Sequence, residues 1–195
     1  MNNLKYIVFE GSVGAGKSTM TNLLSEYISN ELKQHVVTTR EPGGSEISET
    51  IRTLVQGTKF NDEMYPITDA YLYAAARSES LRRVVKPALD SGYYVISDRS
   101  FITSLAYQSL QVGGLTINEL LDINKPAVAD IFPDLVIHLG GDLQNQYNRT
   151  FDPSGDKWEQ KPIEFFELVE QKFDEISKLK IFKSKWINIK IEPTI

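Results

Sequence analysis

The chain has 195 residues, of which 41% are hydrophobic, with a formal net charge of −5 at pH 7 and no cysteine. The acidic balance argues against a nonspecific grip on nucleic acid, and the lack of thiols excludes disulfides and thiolate metal sites. No apolar run is long enough to cross a membrane, and Met1 to Lys5 lead straight into a strand pattern with no room for a signal peptide. The expectation is one soluble cytoplasmic domain over residues 1–195, with a substantial core and without nucleic-acid or membrane partners.

In chain order, the first predicted strand is Tyr6-Ile7-Val8-Phe9, which runs through Glu10 into Gly11-Ser12-Val13-Gly14-Ala15-Gly16-Lys17-Ser18-Thr19. Met20, Leu23, Leu24, Tyr27, Ile28 and Leu32 then recur at helical spacing and predict a helix from Lys17 to about Lys33. His35-Val36-Val37-Thr38-Thr39 is a β-branched strand, closed by Arg40-Glu41-Pro42-Gly43-Gly44. Ser45 caps a helix with Ile47, Ile51, Leu54 and Val55 on one face. After a loop over 57–66, a long helical region reaches Ser91, with a break expected near Ser78–Ser80 and a stop at Gly92.

Tyr93-Tyr94-Val95-Ile96-Ser97 is a third strand that delivers Asp98-Arg99 at its carboxyl end. Helices follow from Ser100 to about Leu110 and from Thr116 to about Ala129, the second capped by Thr116 or Asn118. Pro133-Asp134 introduces the strand Leu135 to Leu139; a polar stretch over 140–162 then interrupts the pattern. Ile163 to about Leu179 is an amphipathic helix carrying Phe165, Phe166, Val169, Phe173 and Ile176, and Trp186-Ile187-Asn188-Ile189 is the last strand. His35 and His138 lie in or beside strands without metal-ligand spacing and read as structural.

Short apolar strands alternating with helices predict a parallel sheet covered on both faces, with ligands bound beyond the carboxyl ends of the strands. The Gly11–Ser18 loop, Arg40 and Asp98-Arg99 each follow a strand, so all three converge on one edge. Gly11-x-x-x-x-Gly16-Lys17-Ser18 between strand and helix has the phosphate-loop layout, in which backbone N–H groups wrap a polyphosphate at a helix N-terminus. Lys17 would reach the β- and γ-phosphate oxygens, and the Ser18 hydroxyl would meet Mg²⁺ together with Asp98. Arg40 and Arg99 remain to hold a second anion through their planar forks of donors. Two anions held in line suggest phosphoryl transfer onto a phosphate, which needs no general base. A hydroxyl acceptor would need one, and Glu41 or Glu10 could serve.

Four runs carry a resemblance: Phe9-Glu10-Gly11 to Gly16-Lys17-Ser18-Thr19, Arg40 to Ser45, Tyr73-Ala74-Ala75-Ala76-Arg77, and Asp98-Arg99-Ser100 to Ala106-Tyr107-Gln108. Together with Pro133-Asp134-Leu135 they resemble the thymidylate kinases, in order, from about Leu4 to Leu179. The resemblance implies a three-layer α/β/α phosphate-loop kinase fold with a five-stranded parallel sheet and a short lid over 149–162. It implies transfer from ATP to dTMP with Mg²⁺, and a homodimer. The loop residues Gly11, Ser12, Val13, Gly14, Ala15, Gly16, Lys17, Ser18 and Thr19, with Arg149 on the adenine, would bind ATP. Arg40 and Arg99 would take the dTMP phosphate. Tyr73 would stack on thymine, with Arg77 on its exocyclic oxygen, Tyr107 beneath the sugar and Gln108 facing the base. Glu41–Pro42 would be cis.

The sequence also departs from that pattern. Val13 stands where relatives usually have a loop carboxylate, and Thr103 replaces a common serine. A catalytic arginine is expected either at the position of Gly14 or just after Arg149, and neither is present. Lys157 is then the lid cation expected to neutralise the transferred phosphoryl group. The chain also stops soon after the last strand, where the family continues into a helix that often touches adenine. Two other functions fit the motifs: a deoxynucleoside kinase acting on thymidine, and a nucleotide-binding protein with little catalysis.

Overall fold

The computed structural model describes residues 4–58, 64–182 and 185–191. Its centre is β1 (Tyr6–Glu10), buried along its whole length because parallel neighbours flank it on both sides. With β2 (Val36–Arg40), β3 (Tyr94–Asp98), β4 (Leu135–Gly141) and β5 (Trp186–Ile191) it forms a five-stranded parallel sheet of order β2-β3-β1-β4-β5. Asp134 fixes where β1 starts, since its Oδ2 accepts the Lys5 and Tyr6 N–H groups at 2.9 Å each.

Strand alternation divides the core. Tyr6, Val8, Val95 and Val136 face a large cluster with Leu105, Phe166, Val169 and Phe173, whereas Phe9, Ile96 and Leu139 face a smaller one with Ile28. The smaller cluster lies under α1 (Lys17–Asn30). The larger is built with α3 (Pro66–Ser80), α5 (Phe101–Gln108), α6 (Ile117–Val128) and α8 (Ile163–Ser177). This is the expected three-layer arrangement. Ser45 caps α2 (Glu46–Gln56), its side chain accepting from Ser48 N, and Thr116 rather than Asn118 caps α6 in a full capping box with Glu119.

Two expectations need correction. The helix after residue 66 does not break at Ser78–Ser80; a π-helical turn over Leu81–Val85 carries it into α4 (Lys86–Asp90). The widened turn keeps Leu81, Val85 and Ala88 facing inward, which an interruption would not. The stretch over 140–162 is not wholly irregular either: α7 (Leu143–Thr150) is capped by Asp142, whose Oδ1 accepts Asn145 N at 3.0 Å. Its inward face is short, Leu143 and Tyr147 against the large core beside a backbone contact at Gly14, so little apolar periodicity announces it. Of the expected loop over 57–66, residues 59–63 lie outside the described residues.

Phe173, wholly buried on α8, meets Tyr107 edge-on at 6.5 Å and His138 at 4.9 Å between ring centroids. Phe173→Ala is expected to lower stability by about 3–5 kcal/mol, read as a shifted urea midpoint with little change in slope.

Candidate functional site

A cleft of about 270 Å³ opens at the carboxyl ends of β1, β2 and β3, lined among others by Gly14, Lys17, Ser18, Arg40, Asp98 and Arg99. Lys17 is buried, and its Nζ donates to the Ser12 carbonyl at 2.6 Å. Burial, with the Arg99 charge adding to it, lowers its pKa to about 7. A polyphosphate in the loop would oppose both effects and favour the ammonium. Ser18 Oγ donates to Asp98 Oδ2 at 2.6 Å, joining the start of α1 to the end of β3. A hydroxyl and a carboxylate side by side are hard oxygen donors of the kind Mg²⁺ takes, usually alongside substrate phosphates. Among the described residues no cluster of three or more His, Cys, Asp or Glu could hold a metal unaided. Thr19 is exposed on α1 and does not line the cleft.

The loop shape is tightly specified at Gly14. Its φ is +72°, and a Cβ there would lie 2.5 Å from the Gln146 carbonyl of α7. A side chain at this position is therefore excluded by backbone, which explains why no arginine is mounted there. Val13 lines the cleft and packs against the large core.

Arg99 adopts a left-handed φ of +73°, a strained choice for a residue with a Cβ, while its N–H donates to Phe9 O at 2.9 Å. The guanidinium donates to Gly11 O at 3.1 Å and Thr103 Oγ1 at 3.3 Å, and lies 5.3 Å from the Tyr107 ring centroid. Beneath it Glu10, fully buried, accepts from Ser100 Oγ at 2.6 Å and Thr103 Oγ1 at 2.5 Å; burial raises its pKa against those hydrogen bonds. Arg40 is half exposed and paired with Glu49 at 2.8 Å. Glu49 is held below its ordinary pKa by the Arg40 hydrogen bond, so a phosphate at Arg40 must compete with that carboxylate.

Tyr73, Tyr107 and Gln108 line the cleft as expected, but Arg77 does not. Arg77 is buried behind the wall, donating to Glu41 Oε2 at 2.5 Å, to Ser104 Oγ at 3.1 Å and to Asn124 Oδ1. Glu41 is equally buried, and burial raises its pKa although Arg77 opposes this. Both carboxylates considered as a general base, Glu10 and Glu41, are thus buried and hydrogen-bonded to donors of their own. The peptide Glu41–Pro42 is cis, as expected.

The lid region holds the main surprise. Arg149 donates to Gly14 O at 2.9 Å, which brings it to the phosphate loop. Lys157 does not line the cleft. Its Nζ donates to Asp69 Oδ1 at 2.5 Å and lies 4.8 Å from the Trp158 ring centroid, so its charge is committed to a fully buried carboxylate on α3. Asp69 also accepts from Gln108 Nε2 at 2.9 Å and Gln111 Nε2 at 3.0 Å. Trp158 Nε1 donates to the Tyr73 hydroxyl at 2.8 Å, and its ring meets Tyr107 edge-on at 5.3 Å. Trp158, which the sequence offers only as part of the lid run Asp156-Lys157-Trp158-Glu159, and Arg52, which it does not single out, therefore join the cleft wall. Asp69 had a signal: it shares a helical face with Tyr73 and Arg77 at successive four-residue steps.

A family model described as "Thymidylate kinase" matches residues 9–195. A thymidylate kinase of Lactobacillus delbrueckii subsp. bulgaricus is 39% identical over 175 residues, 88% of this chain and 82% of the relative. One from Caldicellulosiruptor saccharolyticus is 37% identical over 192 residues, 98% of this chain and 90% of the relative. The crystal structure of thymidylate kinase from Ehrlichia chaffeensis is similar with a TM-score of 0.74 at 27% identity, covering 95% of this chain and 90% of that one.

The placement of Lys157 has a measurable consequence. Lys157→Ala leaves Asp69 buried without its cation and is expected to cost about 3 kcal/mol of stability. Calorimetric melting checks this; a melting temperature equal to wild type with a reduced turnover would place Lys157 at the phosphates instead.

Proposed function

The chain belongs to the thymidylate kinase family, and we propose that it transfers the γ-phosphoryl group of ATP to the 5′-phosphate of dTMP, giving dTDP and ADP. The observation that carries a phosphate acceptor is the pairing of two cleft cations, buried Lys17 and partly buried Arg99, with the commitment of both candidate bases to other donors. Lys17 and Arg99 meet at the cleft, while Glu10 and Glu41 are each held by other side chains. A phosphate dianion needs no deprotonation, whereas a sugar hydroxyl does.

In this reading an oxygen of the dTMP phosphate attacks the γ-phosphorus as the bond to the β-phosphate oxygen breaks and ADP leaves. The protein orients the two nucleotides and offsets their charge. The loop N–H groups and Lys17 hold the ATP phosphates, and Arg149, beside Gly14, is placed for the adenosine end. Arg99 and Arg40 hold the acceptor phosphate, Arg40 exchanging Glu49 for it. Tyr73 and Tyr107 flank the acceptor nucleoside, and Gln108 faces its base. Arg77 acts on that pocket from behind, through Ser104. Ser18 and Asp98 fit Mg²⁺, which when bound neutralises charge on the phosphate oxygens.

The single sheet, with helices on both faces, supports one domain. No helix among the described residues is long and apolar enough to cross a membrane, and we take the enzyme to act in the cytoplasm. Ile47 of α2 with Ile67 and Tyr71 of α3 are exposed on helices that pack together, which supports a homodimer through that face.

A coupled assay for ADP is expected to show turnover with dTMP and none with thymidine; turnover with thymidine alone would favour a nucleoside kinase, and tight binding of both nucleotides without turnover a binding protein. Tyr107→Ala is expected to raise kcat/KM for the ribose analogue of dTMP relative to dTMP itself, because the ring fills the space beneath the sugar.

A further inference from the structure

The side chain of Ser12 makes a contact that the catalytic reading does not use. Ser12 is fully buried, and its hydroxyl donates to Glu170 Oε1 on α8 at 2.5 Å, while its carbonyl receives Lys17 Nζ at 2.6 Å. One residue therefore links Glu170 to the cation of the phosphate loop. Neither neighbour of Ser12 can substitute for it, since Gly11 has no side chain and Val13 no polar atom.

Glu170 is itself held from the far side. His138 Nε2 lies 3.3 Å from Glu170 Oε2, and His138 Nδ1 lies 3.2 Å from Asn188 Oδ1. The same Asn188 oxygen accepts the Trp186 indole N–H at 2.8 Å. An indole nitrogen can only donate, so the Asn188 atom between the two rings is an oxygen. Nδ1 of His138 is then the donor toward Asn188, so Nε2 can donate to the carboxylate only in the imidazolium form, which carries a proton on both nitrogens. Phe173 and Trp186 flank the imidazole at 4.9 and 5.9 Å between centroids and fix its plane. Burial, the largest single effect, raises the Glu170 pKa, but the neighbouring His138 and Ser12 outweigh it and hold the carboxylate below its ordinary range.

We propose that Glu170 is a positioning residue for the donor site: it anchors the phosphate loop through the Ser12 hydroxyl, and His138, oriented by Asn188, holds its carboxylate in place. The proposal rests on the reading of the loop as the ATP site. Neither Glu170 nor His138 lines the cleft, so their effect on the reaction passes through the loop. When Lys17 turns from the Ser12 carbonyl to a phosphate, the Ser12 hydroxyl still ties that peptide to α8. The N–H groups of the loop then keep their direction while the Lys17 contact changes. Such groups lose most of their value if displaced by an ångström.

The experiment measures KM for ATP and for dTMP, with ATP binding to the enzyme alone measured by calorimetry. Glu170→Ala is expected to weaken ATP binding and raise its KM by about tenfold, the order of a hydrogen bond to a charged group, with KM for dTMP within about twofold of wild type. Glu170→Gln, whose amide oxygen still accepts from Ser12, is expected to recover most of the loss. Ser12→Ala is expected to reproduce the ATP effect, and the double variant to add little to either single change. His138→Asn serves as the second route should Glu170→Ala fail to fold, and is expected to shift the same constant in the same direction. Unchanged ATP affinity in folded Glu170→Ala, a Gln variant no better than Ala, or additive single effects would each overturn the proposal. Wild-type protein that binds ATP without phosphorylating dTMP would defeat the proposed reaction and leave the binding test standing.

Discussion

The architecture of the site depends on a carboxylate that never meets solvent. Glu10 ends β1 at the point where the chain turns into the phosphate loop, and it accepts hydroxyl hydrogen bonds from Ser100 and Thr103 of the segment that follows β3. Two adjacent parallel strands would otherwise end independently, their loops free to drift. Glu10 ties the loop leaving β1 to the helix leaving β3, and Thr103 carries that tie to the Arg99 guanidinium. A buried carboxylate is costly unless it is satisfied, so this junction is stable in one arrangement only. The strained φ of Arg99 belongs to the same arrangement, because it turns the side chain back over the Gly11 carbonyl.

Two ion pairs, one buried and one partly buried, extend this logic to the acceptor side. Glu41–Arg77 joins the turn after β2 to α3, and Asp69–Lys157 joins α3 to the lid. Such pairs seldom add net stability over a well-packed apolar core, but each fails badly when one partner is lost. Their value here is register: α3 carries Tyr73, and the two pairs fix it relative to the arginine-bearing turn on one side and the lid on the other. The Trp158 hydrogen bond to the Tyr73 hydroxyl lies between them. The lid is thus fastened to the wall that meets the acceptor base, whereas Arg149 just before it is fastened to the donor loop.

This division explains what was legible in the sequence. Strand and helix identities followed from periodicity because each has an apolar face, and the loop motif was recognised because its glycines and lysine are adjacent in the chain. α7 escaped because its apolar face rests on Leu143 and Tyr147 alone, while its backbone covers the loop at Gly14. The pairing of Lys157 with Asp69 was hidden for a related reason. Asp69 lies 88 positions away and reads as an ordinary helix acid until the fold buries it. The reading of His138 from its strand position was incomplete, since only the fold places Glu170 between it and Ser12.

Four cations, Lys17, Arg40, Arg52 and Arg99, line the cleft against four carboxylates, and the loop supplies one of the cations. With Val13 apolar and Gly14 closed by the Gln146 carbonyl, the loop contributes backbone N–H groups, Lys17 and Ser18. Lys17 and Arg99 repel each other where water is scarce, which helps to lower the Lys17 pKa to about 7. That repulsion would be relieved by the anions of two nucleotides, so charge the protein concentrates at a cost becomes attraction for substrate. The arrangement is useful only if the cations stay in place while the ligands are absent, and each is held by a neutral backbone acceptor, Ser12 O for Lys17 and Gly11 O for Arg99. A carbonyl restrains a cation without neutralising it, unlike the carboxylate that holds Arg40. Lys17 and Arg99 are therefore positioned but still electrostatically available, and the outer arginine is the one that must exchange partners when the acceptor phosphate binds.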